Sequence, residues 1–439
     1  MLNSAVGSFE KKPIGIAWII PGALSGFLPL LVFWKDMVKF YYQGDEWTQI
    51  DQIDAFGYGT WLFSFFGENF MPFFKFVWSS LLFFGHGNYL VFLVFSFLAH
   101  GLVVFFLGYL LRLWEFGLFT ILFSQLILAL NYTNIEILSQ SIQVSNLLSY
   151  LFFLILLITY SRLIIDRKEV TWKYGLLLSL LSLLGALSFS RGVLNGSAIF
   201  GACLLLWLTN QGKYKHLLRS SLFVLVPCVL GGIIAAIWSI NNSTGVVFSD
   251  RLADIGSHFF YQVSLNPWFQ QIRELKIGAE LAVLLLGLNL IFASLGVLLA
   301  RQLQRPLLAI LIFFFIGNAV LLAWGRNQMP IDTIASFRYQ YGVLVVFGPL
   351  VGVSLERIIK WIPFGLIQTA VGLYTLWWVS SWVFDHWKFH VPVWSVDRGS
   401  QIRAFANSEE IDPAAHTISQ FPGVTNERAL QLTEKYNLH

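Results

Sequence analysis

Charge is what this sequence has least of. Of 439 residues, 28 are Lys or Arg and 24 are Asp or Glu, 12% of the chain. A soluble globular domain carries about 25%. That scarcity excludes a soluble enzyme and a charged, disordered chain. Cysteine is nearly absent. Cys203 and Cys228 both stand in apolar runs, which excludes a disulfide framework and a CxxC metal site. No GxxxxGK[ST] and no HExxH occurs, so neither a P-loop nor that zinc motif is present. Short alternating segments are missing too, which excludes a membrane β-barrel. No repeat recurs at a fixed period. No broken helices sit in matching positions, as an inverted-repeat transporter would show.

What is present is apolar. The hydrophobic set makes up 56% and the mean hydropathy is +0.68. A membrane span needs about 20 such residues. Eleven segments fit: 14–34, 89–111, 116–130, 144–165, 174–190, 192–208, 218–240, 280–300, 306–324, 341–357 and 363–384. They predict an all-α, polytopic transmembrane helical bundle over residues 1–384. A short polar tail, 385–439, follows. Only Ser190-Arg191-Gly192 separates spans five and six, and merging them would reverse every later loop. The start, MLNSAVGSFEKKPIGIAW, has no small-residue cleavage site after its apolar run and reads as an uncleaved first span.

The few charges orient the bundle. With the N-terminus in the cytoplasm, the short inside loops hold Lys11, Lys12, Arg112, Arg162, Arg167, Lys168, Lys173, Lys213, Lys215, Arg219, Arg301, Arg305, Arg357 and Lys360, half of all basic residues. Only five acids fall there: Glu10, Glu115, Asp166, Glu169 and Glu356. The positive-inside rule therefore favours eleven spans with the tail outside. The larger segments, 35–88, 131–143, 241–279 and 325–340, then lie on the non-cytoplasmic face, and site chemistry is expected there. The compact loops suggest a bacterial inner (plasma) membrane. No nucleic-acid partner is expected.

Segment 35–88 is the most informative. Asp45 and Glu46 follow the first span, and Asp51 and Asp54 come next at helical spacing. The rest is aromatic, broken at Gly67-Glu68-Asn69 and Pro72, and reads as helices lying in the interface plane with Trp and Phe at headgroup level. A carboxylate held there can serve as a general base, because burial raises its pKa. The plain alternative is a solvated acidic loop. Arg326 and Arg338, with Tyr339, flank a later outside loop, and Arg191 sits in the tight turn. Arginine's planar fork suits a lipid phosphate, although arginines near span ends also snorkel to headgroups. Glu68, His86 and His100 are further candidates. His100 lies within a span, where an ionisable group marks function or a bond to a neighbouring helix. Glu136 and Gln140, four apart, could share one helical face. No metal-ligand spacing appears, and no cofactor is expected.

Taken together, GDEWTQI after the first span, GENFMPFFKFVW, ALSFSRGVLNG and SFRYQYGVLVV resemble the GT-C superfamily of membrane glycosyltransferases. The relatives in view are protein O-mannosyltransferases and the bacterial aminoarabinose transferase. The likeness runs through most of 14–384 and is architectural; only the acidic pair and the Arg-Tyr stretch are motif-like. It implies a sugar delivered on a polyprenyl phosphate carrier to a glycan, lipid or protein acceptor. Asp45 or Glu46 would act as base, and Arg326, Arg338 and Arg191 would steady the leaving phosphate. Transfer would invert the anomeric centre. A lipid-linked sugar flippase or transporter, and an O-antigen polymerase or ligase, are the competing readings. The first needs charges along a path through the bundle, and the second usually carries its large loop late in the chain.

Overall fold

The long apolar runs form helices because lipid offers the backbone no hydrogen-bond partners, so each segment must satisfy its own. The computed structural model describes residues 16–67, 69–166, 170–209, 215–242, 252–265, 279–326, 337–396 and 424–439, with positions 267, 399 and 402. Among these there is no β-strand, only an isolated bridge between Phe66 and Asn69. The helices are α1 (Ile20–Ser25), α2 (Leu28–Val32), α3 (Trp34–Met37), α4 (Asp45–Phe56), α5 (Tyr58–Leu62), α6 (Pro72–Phe84), α7 (Tyr89–Leu113), α8 (Leu118–Leu130), α9 (Asn134–Ser139) and α10 (Val144–Asp166). There follow α11 (Trp172–Ser188), α12 (Val193–Thr209), α13 (Lys215–Asn242), α14 (Leu252–Leu265), α15 (Ala279–Leu299), α16 (Arg305–Arg326), α17 (Phe337–Ile359), α18 (Gly365–Asp385), α19 (Trp387–Ser395) and α20 (Asn426–Tyr436). The chain is an all-α, polytopic helical protein.

Among the described residues, seven helices are long and apolar enough to cross a membrane: α7, α10, α12, α13, α15, α16 and α17. The other four expected spans differ in kind. Spans three and five are the shorter α8 and α11, 13 and 17 residues long. The last is α18, diluted by Trp, Tyr and Ser. The first, 14–34, is not one helix. Pro21 and Pro29 each open a new short helix, the position where a missing N–H costs least. This broken segment packs on α7. A Cβ on Gly22 or on Gly108 would come within 2.3 Å of the buried Gln125 side chain. Gln125 Nε2 donates to the carbonyls of Ile19 (3.2 Å) and Val104 (3.1 Å), tying α8 to both. Segment 174–208 is two helices, α11 and α12, joined by a 3-10 turn over Ser190–Gly192.

Helices α10 and α17 are the most enclosed of the seven, and α15 the least. Helix α17 packs on α8 and α15, α10 on α7 and α11, and α12 on α13 and α16. Segment 35–88 does form helices, α4 to α6, but its tryptophans do not face headgroups. Trp47, Trp61 and Trp78 are fully buried. Each indole N–H finds an acceptor inside: the Tyr42 carbonyl, Gln49 Oε1 and Ser141 Oγ. The large exposed residues there are instead Phe56, Tyr58, Phe63, Phe76, Phe83 and Phe84. An amphipathic indole goes where both its ring and its N–H are satisfied.

The tail contributes a clamp. The expected helix start at Asp412-Pro413 and the turn at 421–423 lie outside the described residues. Helix α20 begins where the Thr425 hydroxyl accepts the Arg428 N–H at 3.2 Å. Arg428 then donates to Asp51 (2.6 Å) and Asp54 (2.7 Å), and Tyr436 donates to Asp54 at 3.1 Å. Lys435 pairs with Asp54 as well. With Arg428 and Tyr436 it holds that carboxyl down at about 2. The chain ahead of α7 makes room for this. Gly87 has φ +75°, and a Cβ there would lie 2.4 Å from the Asn437 carbonyl oxygen.

Candidate active site

The loop before α4 turns sharply at Gly44, φ +47°, and places Asp45 and Glu46 in the first helical turn. Their side chains part there. Glu46 is fully buried. Its Oε2 accepts the Gln43 N–H at 2.8 Å, and its Oε1 accepts the Ile142 N–H at 3.2 Å. The Tyr89 hydroxyl lies 3.2 Å from Oε1, but it is also 2.6 Å from the Ser139 carbonyl, the better acceptor for its one proton. Glu46 thus pins α4 to the start of α10. Burial pushes its carboxyl up to about 7, against the pull of those donors. Asp45, its neighbour, is half-buried and lies within electrostatic reach of Arg338.

The raised Glu46 pKa fixes the sign of a pH effect. Protonated Glu46 is the form that the fold prefers, so its contribution is complete below the unfolded value of about 4.5 and is lost as pH rises through about 7. Wild-type thermal stability is expected to fall from pH 5 to pH 8 relative to Glu46→Gln, by on the order of 3 kcal/mol. Parallel melting curves for the two proteins would show that Glu46 is not the titrating group.

Arg338 opens α17. Its N–H donates to Glu136 Oε2 at 3.1 Å, its Nε lies 3.7 Å from Glu136 Oε1, and its guanidinium stands 5.2 Å over the Tyr339 ring. The Arg338 side chain is about one-third exposed and Glu136 mostly buried. Arg191, in the turn between α11 and α12, is within electrostatic reach of both Arg338 and Tyr339. It is 3% exposed. Its guanidinium lies between rings, 5.0 Å from the Tyr150 centroid and 5.4 Å from that of Phe189. Its Nη1 has no hydrogen-bond partner among the described residues. The structure therefore gathers Asp45, Glu136, Arg191, Arg338 and Tyr339, which are scattered over almost 300 positions of sequence.

Other candidates stand elsewhere. His100 is fully buried, with Nδ1 2.8 Å from the Tyr341 hydroxyl and Nε2 3.3 Å from the Ala129 carbonyl. A carbonyl can only accept, so Nε2 carries the proton and Nδ1 accepts from Tyr341. That is the bond to neighbouring helices weighed from sequence. His86 is exposed at φ +51° in the turn between α6 and α7. Glu136 and Gln140 do not share a helical face: α9 ends at Ser139, and Gln140 is extended at φ −107° and ψ 118°. The chain must leave the helix there to feed Ser141 and Ile142 to Tyr89 and Glu46. Gln140 instead accepts from Gln143, which in turn accepts from Asn146. Glu68 and the side chain of Arg326 lie outside the described residues. Among the described residues there is no group of three His, Cys, Asp or Glu that could hold a metal ion.

Sequence reasoning passed over Asn146, Ser149, Tyr150 and Asn195. All are buried. Each has at least one polar side-chain atom with no partner among the described residues. The signal was available: Asn-Leu-Leu-Ser-Tyr at the head of one span and an asparagine one turn beyond Arg191 are polar groups inside apolar runs.

The fold and site define a polytopic helical protein with a charged cluster gathered at one end of its helices. No protein-family profile matches the sequence, and no curated protein matches it. Among solved structures, the chain is similar to a crystal structure of the Archaeoglobus fulgidus oligosaccharyltransferase tethered with an acceptor peptide containing the NVT sequon. The identity is 13% and the TM-score 0.48. The match covers 99% of this chain and 60% of that one, so this chain spans about three-fifths of the length of its neighbour.

Proposed function

We propose that this protein is a membrane glycosyltransferase that moves a sugar from a polyprenyl phosphate carrier to an acceptor hydroxyl on the non-cytoplasmic face. The observation that carries the reading is Arg191. A buried guanidinium with an unused N–H and no carboxylate partner among the described residues is costly to maintain. A bound anion offsets that cost. Arg338 lies within electrostatic reach of Arg191 and is held by Glu136. The helices around the site are apolar and suit a long lipid tail. A phosphate on a lipid meets both conditions.

Asp45 is the base in this reading, because both Glu46 oxygens are already engaged by backbone donors. Asp45 takes the proton from the acceptor hydroxyl, and the acceptor oxygen bonds to the anomeric carbon. The bond from that carbon to the phosphate oxygen breaks, and polyprenyl phosphate leaves with the electron pair. Attack and departure on opposite faces invert the centre. Arg338 and Arg191 stabilise the charge that develops on the leaving oxygen.

The test is selective binding. Purified protein in nanodiscs is titrated with polyprenyl phosphate and with the matching uncharged polyprenol. At least tenfold tighter binding of the phosphate is expected. Equal binding of the two would remove the phosphate role and the reading with it.

A further inference from the structure

A second charged cluster stands at the other end of the helices. There the turn between α7 and α8, the turn between α15 and α16, and the last turn of α17 surround an open cleft of about 40 Å³. A single water needs about 10–15 Å³ of such space, so the cleft has room for a larger polar group. Its charged and polar lining is Glu115, Arg301, Gln304, Glu356, Arg357 and Lys360. Arg338 opens α17 and Arg357 stands near its last residue, so the two clusters are a helix length apart. The basic residues of the short loops assign this end to the cytoplasm.

Buried Gln304 ties two of these turns together. Its Nε2 donates to the Glu115 carbonyl at 2.9 Å, and its Oε1 accepts the Arg301 N–H at 3.0 Å. Glu356 already has its partners. Its Oε2 accepts the Thr120 N–H at 3.2 Å and the Thr120 hydroxyl at 2.6 Å, and Lys360 pairs with its Oε1. A Cβ on Gly117 would lie 1.9 Å from Glu356 Oε1, so glycine makes room for that carboxylate. The other charges are poorly matched. Arg357 is half-buried, and its side chain has no hydrogen bond or ion pair among the described residues. Arg301 Nη1 is 3.9 Å from Glu115 Oε2, whereas a charge-assisted bond spans about 2.7–2.9 Å. Glu115 is also held at φ +56°, a left-handed backbone that side chains rarely adopt. It follows the end of α7, where glycine is the usual residue. Glycine would remove both the strain and the negative charge, yet the chain keeps a carboxylate at the cleft.

We infer that this cleft binds the head group of a zwitterionic aminophospholipid, with its phosphate on Arg357 and Arg301 and its ammonium on Glu115. Arginine's planar fork suits a phosphodiester, and basic pockets between spanning helices hold lipid head groups. A purely anionic head group would satisfy the arginines but set its charge beside Glu115. An ammonium on the same head group turns that carboxylate into a partner. A primary ammonium donates hydrogen bonds to it, which a quaternary one cannot do. The surroundings favour a lipid over a soluble solute. Exposed Leu118, Ile358 and Trp361 adjoin Gly117, Arg357 and Lys360 of the lining, and exposed tryptophan belongs at head-group depth. The site is independent of the carrier-phosphate reading, which concerns the opposite end of α17.

The experiment uses the delipidated protein in detergent. It is titrated with phosphatidylethanolamine, phosphatidylcholine and phosphatidylglycerol of the same chains, and the first bound lipid is followed by native mass spectrometry. The wild type is expected to bind phosphatidylethanolamine about tenfold tighter than either of the others. Soluble glycerophosphoethanolamine at the same concentration should fail to displace it. Glu115→Gly should bring phosphatidylethanolamine to within about threefold of phosphatidylglycerol, with the ligand-free melting temperature held or raised. Arg357→Gln should weaken both lipids by about tenfold at unchanged ligand-free melting temperature. Equal wild-type binding of phosphatidylglycerol and phosphatidylethanolamine overturns the zwitterionic head group. Displacement by glycerophosphoethanolamine overturns the lipid source. Unchanged lipid binding in both variants overturns the site, and so does a lowered ligand-free melting temperature in both, which would make these residues structural. Carrier binding at the Arg338 end is measured separately, so neither result decides the other.

Discussion

Asp45→Asn is expected to lower sugar transfer by at least about a thousandfold, within the range that removing a positioned general base produces. The substitution keeps the size of the side chain and its place at the first turn of α4. It removes the capacity to take a proton, together with the negative charge within reach of Arg338. Insertion and folding should be unaffected, because the bonds that pin this turn are made by Glu46 to Gln43 and Ile142. Glu46→Gln provides the contrast. It alters a fully buried group and should act through stability and its pH dependence, with transfer retained. Should Glu46→Gln abolish transfer at unchanged stability while Asp45→Asn does not, the two roles are reversed.

Arg338→Ala is expected to weaken carrier binding by about a hundredfold and to slow transfer further. Charge-assisted bonds to phosphate are roughly twice as strong as neutral ones, and the loss of a donor aimed at developing charge costs about 3 kcal/mol. The variant also removes the guanidinium beside Glu136, which is mostly buried and keeps its bond to the main-chain N–H of position 338, so an unneutralised carboxylate would repel the incoming phosphate. Arg338→Lys restores the charge but not the fork and should recover part of the affinity. The double variant Arg338→Ala with Glu136→Gln separates the two causes. If it binds the carrier as weakly as Arg338→Ala, the missing guanidinium dominates. If it binds like wild type, the unneutralised carboxylate accounts for the loss.

Much of this molecule was legible in its apolar runs. Every expected span apart from the first is a helix, since a run such as 89–111 has one way to satisfy its backbone in lipid. The first span was misread because apolar content was counted without weighing Pro21 and Pro29, which restart the helix twice. The tryptophans of 35–88 were misplaced for a related reason. Composition says that an indole is amphipathic but cannot say that Gln49 or Ser141 waits inside to accept its proton. The candidate site was legible as types, an acidic pair and arginines near span ends, but not as a constellation. Nothing local shows that Glu136 meets Arg338, or that Glu46 turns inward while Asp45 does not. The docking of Arg428 on Asp51 and Asp54 spans 377 positions, and helical spacing alone could only say that those two acids share a face.

The central claim is tested most directly by release of the carrier. Purified protein is incubated with labelled polyprenyl-phosphate glucose and a membrane extract that supplies acceptor hydroxyls, and free polyprenyl phosphate is measured alongside label in product. The account predicts that both appear together with the wild type and that both vanish with Asp45→Asn. Label crossing the membrane still attached to its carrier, or transfer that proceeds equally well with Asp45→Asn, would contradict it.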